Sequence, residues 1–125
     1  MCQRDVDELA RHPSLDDVDQ ALKHLSNRKA AGQSAIAPEM LKTAAPIIRP
    51  YLLDLLQTAW STSRVAQGWR DALLVPIPKK GDLSRCDNWR GIALLDVVGK
   101  LLGRIVQERL KSVAARELSE AQCGF

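Results

Sequence analysis

The sequence predicts a mostly α-helical domain with one small β-hairpin, an α+β fold. Three observations predict it. Apolar residues recur at helical spacing in three separate stretches. Two short apolar runs, "ALLVPI" (72–77) and "WRGIALL" (89–95), flank a loop rich in turn residues. The chain has 125 residues, enough for one domain that buries roughly two thirds of its unfolded surface.

The elements follow in chain order. Residues 1–13 show no clear periodicity and end in His12-Pro13, so they read as a frayed lead-in. Ser14 with Asp17 three residues later resembles a capping box, with Asp in place of Glu, and opens a helix. Leu15, Val18, Leu22 and Leu25 fall on one face of it. "NRKAAGQSAIAPE" interrupts the pattern as a loop containing Gly32, and Pro38 suits the first turn of a short helix through Lys42. A longer helix is expected over 46–63, with Ile48, Leu52, Leu55, Leu56, Ala59 and Trp60 as its apolar stripe and Pro50 disturbing its start. Gly68 closes the loop that follows. Pro76 marks the 72–77 run as an edge strand. Residues 79–88 turn, the second run returns, and Asp96 caps a helix reaching Val113. Leu101, Leu102, Ile105, Val106, Leu110 and Val113 form its stripe.

Composition narrows the function classes. A hydrophobic content of 46% with 26% charged residues is ordinary for a globular protein and argues against disorder. No apolar run approaches the ~20 residues of a membrane span, and Met1 is not followed by a signal-peptide core, so an intracellular protein with no membrane partner is expected. Cys2, Cys86 and Cys123 show no C-x-x-C spacing, which reads as free thiols rather than a zinc site or a disulfide framework. Charge is uneven. Residues 1–27 carry three basic and six acidic side chains, whereas 28–125 carry fifteen basic and nine acidic ones. That polarity is compatible with a polyanionic partner.

The turn is the one candidate site that the residues themselves offer. Lys79, Lys80, Arg85 and Arg90 face only Asp82 and Asp87, with Gly81 and Asp82 making the tight bend. A solvated hairpin tip would explain the lysines. Phosphate contact is the other reading: lysine supplies a point charge and arginine a planar fork. Arg90, beside Trp89 in the returning strand, fits phosphate contact better, because apolar neighbours hold it in place. The acidic pair in "SLDD" suits a helix N-terminus and reads as capping, not as a metal site. Glu108 and Glu117 read as solvated helix surface, and no nucleophile–base constellation or glycine-rich phosphate loop is present.

The order of these pieces is similar to a known family. "SLDDVDQALKHLSNRKAAGQSAIAPEMLK", "GWRDALLVPIPKKGD", "NWRGIALLDVVGKLLGRIVQERL" and the terminal "QCGF" resemble the amino-terminal part of the reverse transcriptase domain of non-LTR (LINE-type) retrotransposons. The resemblance covers Pro13 to Phe125 and is most specific in its middle. It implies a partial fingers subdomain of a right-hand polymerase over 14–125, with 1–13 as lead-in. It further implies that Lys79 (or Lys80) and Arg90 grip the triphosphate of an incoming nucleotide, neutralising charge as pyrophosphate leaves. Gln122, Gly124 and Phe125 match the approach to the palm.

Two departures shape the functional expectation. The family continues its "K-A-x-G" segment as G-x-D-G-I, where this chain has Gly32-Gln33-Ser34-Ala35-Ile36. The family's catalytic carboxylates, with an aromatic-x-Asp-Asp turn, lie beyond the equivalent of Phe125. The expectation is a fragment of an RNA-directed DNA polymerase that lacks palm and thumb and is inactive as a polymerase by itself. It has no cofactor of its own; Mg2+ belongs to an intact relative. RNA template, DNA primer and deoxynucleotide are the implied partners, with Arg85, Lys100, Arg104, Arg109 and Lys111 as additional nucleic-acid contacts. The alternatives are a non-catalytic nucleic-acid-binding module and a helical interaction domain whose basic turn is merely solvated. An apolar patch exposed where the palm would sit is also expected.

Overall fold

The computed structural model describes residues 3–117, so the Cys2, Cys123, Gln122, Gly124 and Phe125 expectations lie outside the described residues. Helix α1 spans Gln3–Ala10, α2 Leu15–His24, α3 Pro38–Thr62 and α4 Gln67–Arg70. Strand β1 (Ala72–Pro78) and strand β2 (Trp89–Leu95) follow, joined through a 3-10 turn at Cys86–Asn88, and α5 runs Val97–Glu117.

The core lies where α2, α3 and α5 converge. Val18, Ala21 and Leu22 of α2 meet Leu41, Leu52 and Leu56 of α3 and Val97, Leu101 and Ile105 of α5. Each fully buried Leu or Val in such a cluster contributes roughly 1.5–3 kcal/mol relative to exposure. Helix α2 starts as its sequence demands: the Asp17 N–H donates to Ser14 Oγ at 3.3 Å, and the Ser14 N–H donates to the Asp17 carboxylate at 2.8 Å. At its other end Lys42 Nζ donates to the Leu25 carbonyl at 2.6 Å, placing a cation at the negative pole of the helix. Asp96 caps α5 by accepting from the Val98 N–H at 2.9 Å.

Several elements differ from the sequence reading. Residues 3–10 are helix, not a frayed lead-in, and the turn after them is strapped down by side chains from afar. The carbonyls of Ala10, Arg11, His12 and Pro13 accept, in that order, from Trp60 Nε1, Arg109 Nη1, Arg109 Nη2 and Gln57 Nε2. The two expected helices at 38–42 and 46–63 are one continuous α3. Pro46 and Pro50 remove the N–H groups that would close on the carbonyls of Lys42 and Pro46. Burial of Leu41 before them and of Leu52 and Leu56 after them holds the helix together regardless. Gly68 lies inside α4 rather than closing a loop, and α5 runs on past Val113. Leu55 and Leu110, counted among the apolar stripes, are exposed.

The strands pair antiparallel from Ala72↔Leu95 to Pro78↔Trp89. The Lys79 N–H donates to the Asn88 carbonyl at 2.7 Å, which carries the same register one pair further. Ladder bonds in an antiparallel pair fall on every second residue. The ladder therefore uses Leu73, Val75 and Ile77 of β1 with Leu94, Ile92 and Arg90 of β2. Pro76 and Pro78 fall on the alternate positions, whose backbone groups point away from the partner strand, so they cost the ladder nothing.

This hairpin is apolar on both faces, and Leu73, Leu74, Ile77, Trp89, Ile92 and Leu95 are all exposed large hydrophobics. Ile47 and Tyr51 of α3 are exposed as well. No described helix is long and apolar enough to cross a membrane.

Candidate functional site

The basic turn is built on the far end of the hairpin. Gly81 takes φ 119°, a left-handed conformation that side-chain-bearing residues rarely adopt, and a Cβ there would meet the Asn88 side chain at 3.1 Å. Asn88 Nδ2 donates to the Asp82 carbonyl at 2.6 Å, and Trp89 Nε1 donates to the Leu83 carbonyl at 3.0 Å. These bonds give the loop a fixed shape without burying it.

Its anions are already engaged. Asp82 accepts from the Ser84 N–H at 2.9 Å and the Ser84 hydroxyl at 2.8 Å, and these two bonds hold its carboxyl below the ordinary range. Asp87 pairs with Arg85 at 3.5 Å with both side chains well exposed. Lys79 Nζ donates to the Asp87 carbonyl at 3.0 Å. Among the described residues Lys80 and Arg90 have no carboxylate within salt-bridge distance. Ile77 is the register partner of Arg90, and side chains alternate along a strand, so Ile77, Lys79 and Arg90 share one face. Two cations thus point from one side of a stiff turn whose own acids are occupied.

The helix cations divide differently. Lys100 and Arg104 line a cleft of about 240 Å³ with His24 and Lys29, and no carboxylate lines it. Arg104 and Lys111 both reach Glu108, each at 3.1 Å, and the Lys111 bond is the main cause that lowers the Glu108 carboxyl. Glu108 is therefore a bridging group rather than an idle surface acid. Arg109 departs from the expectation of an exposed phosphate contact. Its side chain is 6% exposed, pairs with Asp17 at 3.1 Å and stands over the Trp60 ring. Enclosed in this way, it holds the fold and presents no free charge to a nucleic acid. One signal was available in the sequence: Arg109 continues the four-residue spacing of Val97, Leu101 and Ile105, all of them buried.

The chain is 29% identical over 120 residues, 96% of its length, to the transposon TX1 uncharacterized 149 kDa protein of Xenopus laevis. It is 33% identical over 114 residues to the retrovirus-related Pol polyprotein from type-1 retrotransposable element R1 of Bradysia coprophila, covering 89% of this chain. The chain is a relative of retrotransposon proteins. A third such relative, the Pol polyprotein from type-1 retrotransposable element R2 of Popillia japonica, is 42% identical over 57 residues, 46% of this chain. The chain spans about a tenth of the length of these curated relatives, at 9%, 11% and 8%. No family model matches it.

Proposed function

We propose that this retroelement segment is part of the fingers of an RNA-directed DNA polymerase, with Lys79 or Lys80 and Arg90 gripping the triphosphate of the incoming nucleotide. The observation that carries the reading is the shared face of Lys79 and Arg90 on a turn whose own carboxylates are occupied. Two positive groups on one side of the hairpin's turn can bridge successive phosphates, and arginine can do so bidentately. Similarity to two Pol polyproteins of retrotransposable elements supports the same reading. In the intact protein Mg2+, template RNA and primer DNA are the proposed partners, and the metal would be held by residues outside this segment. No group of three His, Cys, Asp or Glu among the described residues could hold a metal ion, so no metal step is assigned to them.

The chemical role follows from charge. As a phosphoryl bond breaks, negative charge gathers on the departing pyrophosphate, and pre-placed cations stabilise it. The acid-free cleft of His24, Lys29, Lys100 and Arg104 favours a second reading, a module that grips a nucleic-acid backbone without chemistry. Titration with tripolyphosphate and with a single-stranded oligonucleotide separates the two. For the fingers reading, tripolyphosphate shifts the resonances of Lys79, Gly81 and Arg90, and joint replacement of Lys79, Lys80 and Arg90 by Ala abolishes the shifts and flattens the salt dependence. Oligonucleotide binding centred on Lys100 and Arg104, with a silent turn, would instead support the module.

A further inference from the structure

We infer that the hairpin accepts one additional extended polypeptide strand, on the outer edge of β2 alone, and that this strand carries a carboxylate opposite Arg90. The edge geometry does not depend on what the turn binds, but Arg90 is shared with the proposed phosphate grip, so a strand carboxylate and a phosphate would compete for it.

The two edges of the hairpin are chemically unequal. On β1 the outward-pointing positions are Ala72, Leu74, Pro76 and Pro78, so the half nearest the turn offers no N–H donor at all. Edge prolines of this kind block strand addition. On β2 the outward positions are Trp89, Gly91, Ala93 and Leu95, none of which is proline. The Trp89 N–H is spent on the Cys86 carbonyl. At the other end the backbone of Gly32 crowds Leu95 so closely that a Cβ on Gly32 would lie 2.6 Å from the Leu95 oxygen. Between these limits Gly91 and Ala93 each present an N–H and a carbonyl, with no backbone partner outside the hairpin among the described residues. That donor–acceptor pattern is what an incoming strand reads.

The occupant follows from the chemistry around the edge. Backbone groups spaced along a strand select an extended peptide, because no compact ligand matches them. Both hairpin faces are apolar, so alternate residues of the incoming strand have hydrophobic neighbours on either side. Arg90 lies between Trp89 and Gly91 with no carboxylate paired to it among the described residues. The cross-strand neighbour of a cation is favourable when acidic and unfavourable when basic. A second copy of this chain fits less well. Pairing β2 with itself about Gly91 would bring two Arg90 side chains into diagonal proximity with no acid between them.

The test uses the full chain and an eight-residue peptide of alternating Val and Thr with one central Glu. Nuclear magnetic resonance at saturation should show the Gly91 and Ala93 amides shifted and protected from exchange. Ala93→Pro removes an outward donor without touching the ladder and should abolish the effect, whereas Leu74→Pro, on the β1 edge, should leave it intact. A peptide with Pro at every second position should not bind, which tests the idea without altering the protein. Replacing the peptide Glu by Lys should weaken binding about two- to five-fold, the size of an exposed ion pair. The inference is overturned by equal loss in Leu74→Pro and Ala93→Pro, or by unprotected Gly91 and Ala93 amides at saturating peptide. Concentration-dependent self-association that protects those amides without peptide would overturn it as well.

Discussion

The guanidinium carbon of Arg109 stands 4.7 Å from the centre of the Trp60 ring, and both side chains donate to the short stretch of backbone at the end of α1 and just after it. Arg109 adds an ion pair to Asp17, the residue that also closes the capping box of α2. One arginine therefore ties together an N-terminal turn, the start of α2, the end of α3 and the middle of α5.

Replacing Arg109 by Ala should be among the most destabilising changes in the chain. It removes the buried partner of the Asp17 carboxylate, which keeps Arg11 and Ser14, and frees two strapped carbonyls, a loss of roughly 1.5–3 kcal/mol, the range for hydrogen bonds to a charged group. Urea denaturation measures it, and amide exchange should show α1 opening ahead of the core. Combining it with Trp60→Ala should give a coupling of about 0.5–2 kcal/mol if the ring contact contributes. Additive losses would mean that the stacking is incidental.

The same network sets a pH dependence. Burial alone would raise the Asp17 carboxyl, but bonds from the Ser14 N–H and hydroxyl and from Arg109 outweigh it and hold the group below its ordinary range. A folded value below the unfolded one stabilises the protein above the unfolded value near 4, and that stabilisation is lost as pH falls through the folded value. Asp17→Asn should therefore lower the urea midpoint by a constant amount between pH 7 and about 5, with the gap narrowing below about pH 4. A gap that stays constant down to about pH 2.5 would show that the carboxylate charge is not responsible.

Two glycines should respond in opposite directions. A Cβ at Gly32 would sit 2.6–2.8 Å from the backbone of Leu95 and Asp96, where nothing flexible can give way. Gly32→Ala should cost roughly 1–3 kcal/mol, the range for forced overpacking. Gly103 is exposed in the middle of α5, and a Cβ added there would meet nothing within 4 Å. Gly103→Ala should therefore stabilise by roughly 0.5–1 kcal/mol through helix propensity. Thermal melts of the two variants on either side of the parent would bear this out, and equal shifts in one direction would contradict it.

Local signals were the legible ones. The Ser14–Asp17 box and the Asp96 cap were readable because each depends on residues a few positions apart, and the hairpin because its two strands follow one another in the chain. What was not readable depends on distance in the chain. Helix α1 shows no persuasive stripe, and the turn after it is held by partners 44 to 98 residues away. Proline propensity argues against α3 as a single helix, yet burial on both sides of Pro46 and Pro50 prevails. An arginine on a basic helix reads as surface, and only the place of Arg109 in the buried four-residue series marks it otherwise. The turn was legible as a cluster of cations, whereas the occupation of Asp82 by Ser84 and the common face of Lys79 and Arg90 emerge only from folded geometry.

The two prolines of β1 also bear on how the exposed hairpin behaves in a crowded solution. A sheet fragment with two open edges acts like a bifunctional monomer: each addition leaves a fresh edge, and growth continues toward a cross-β fibril. Pro76 and Pro78 cap one side, which makes the hairpin closer to a monofunctional chain stopper. Two such hairpins joined along β2 would present outward rims whose turn-proximal halves are blocked by proline, which opposes further stacking. Apolar surface of this extent can still drive amorphous clumping, but ordered fibre growth is disfavoured beyond the second molecule.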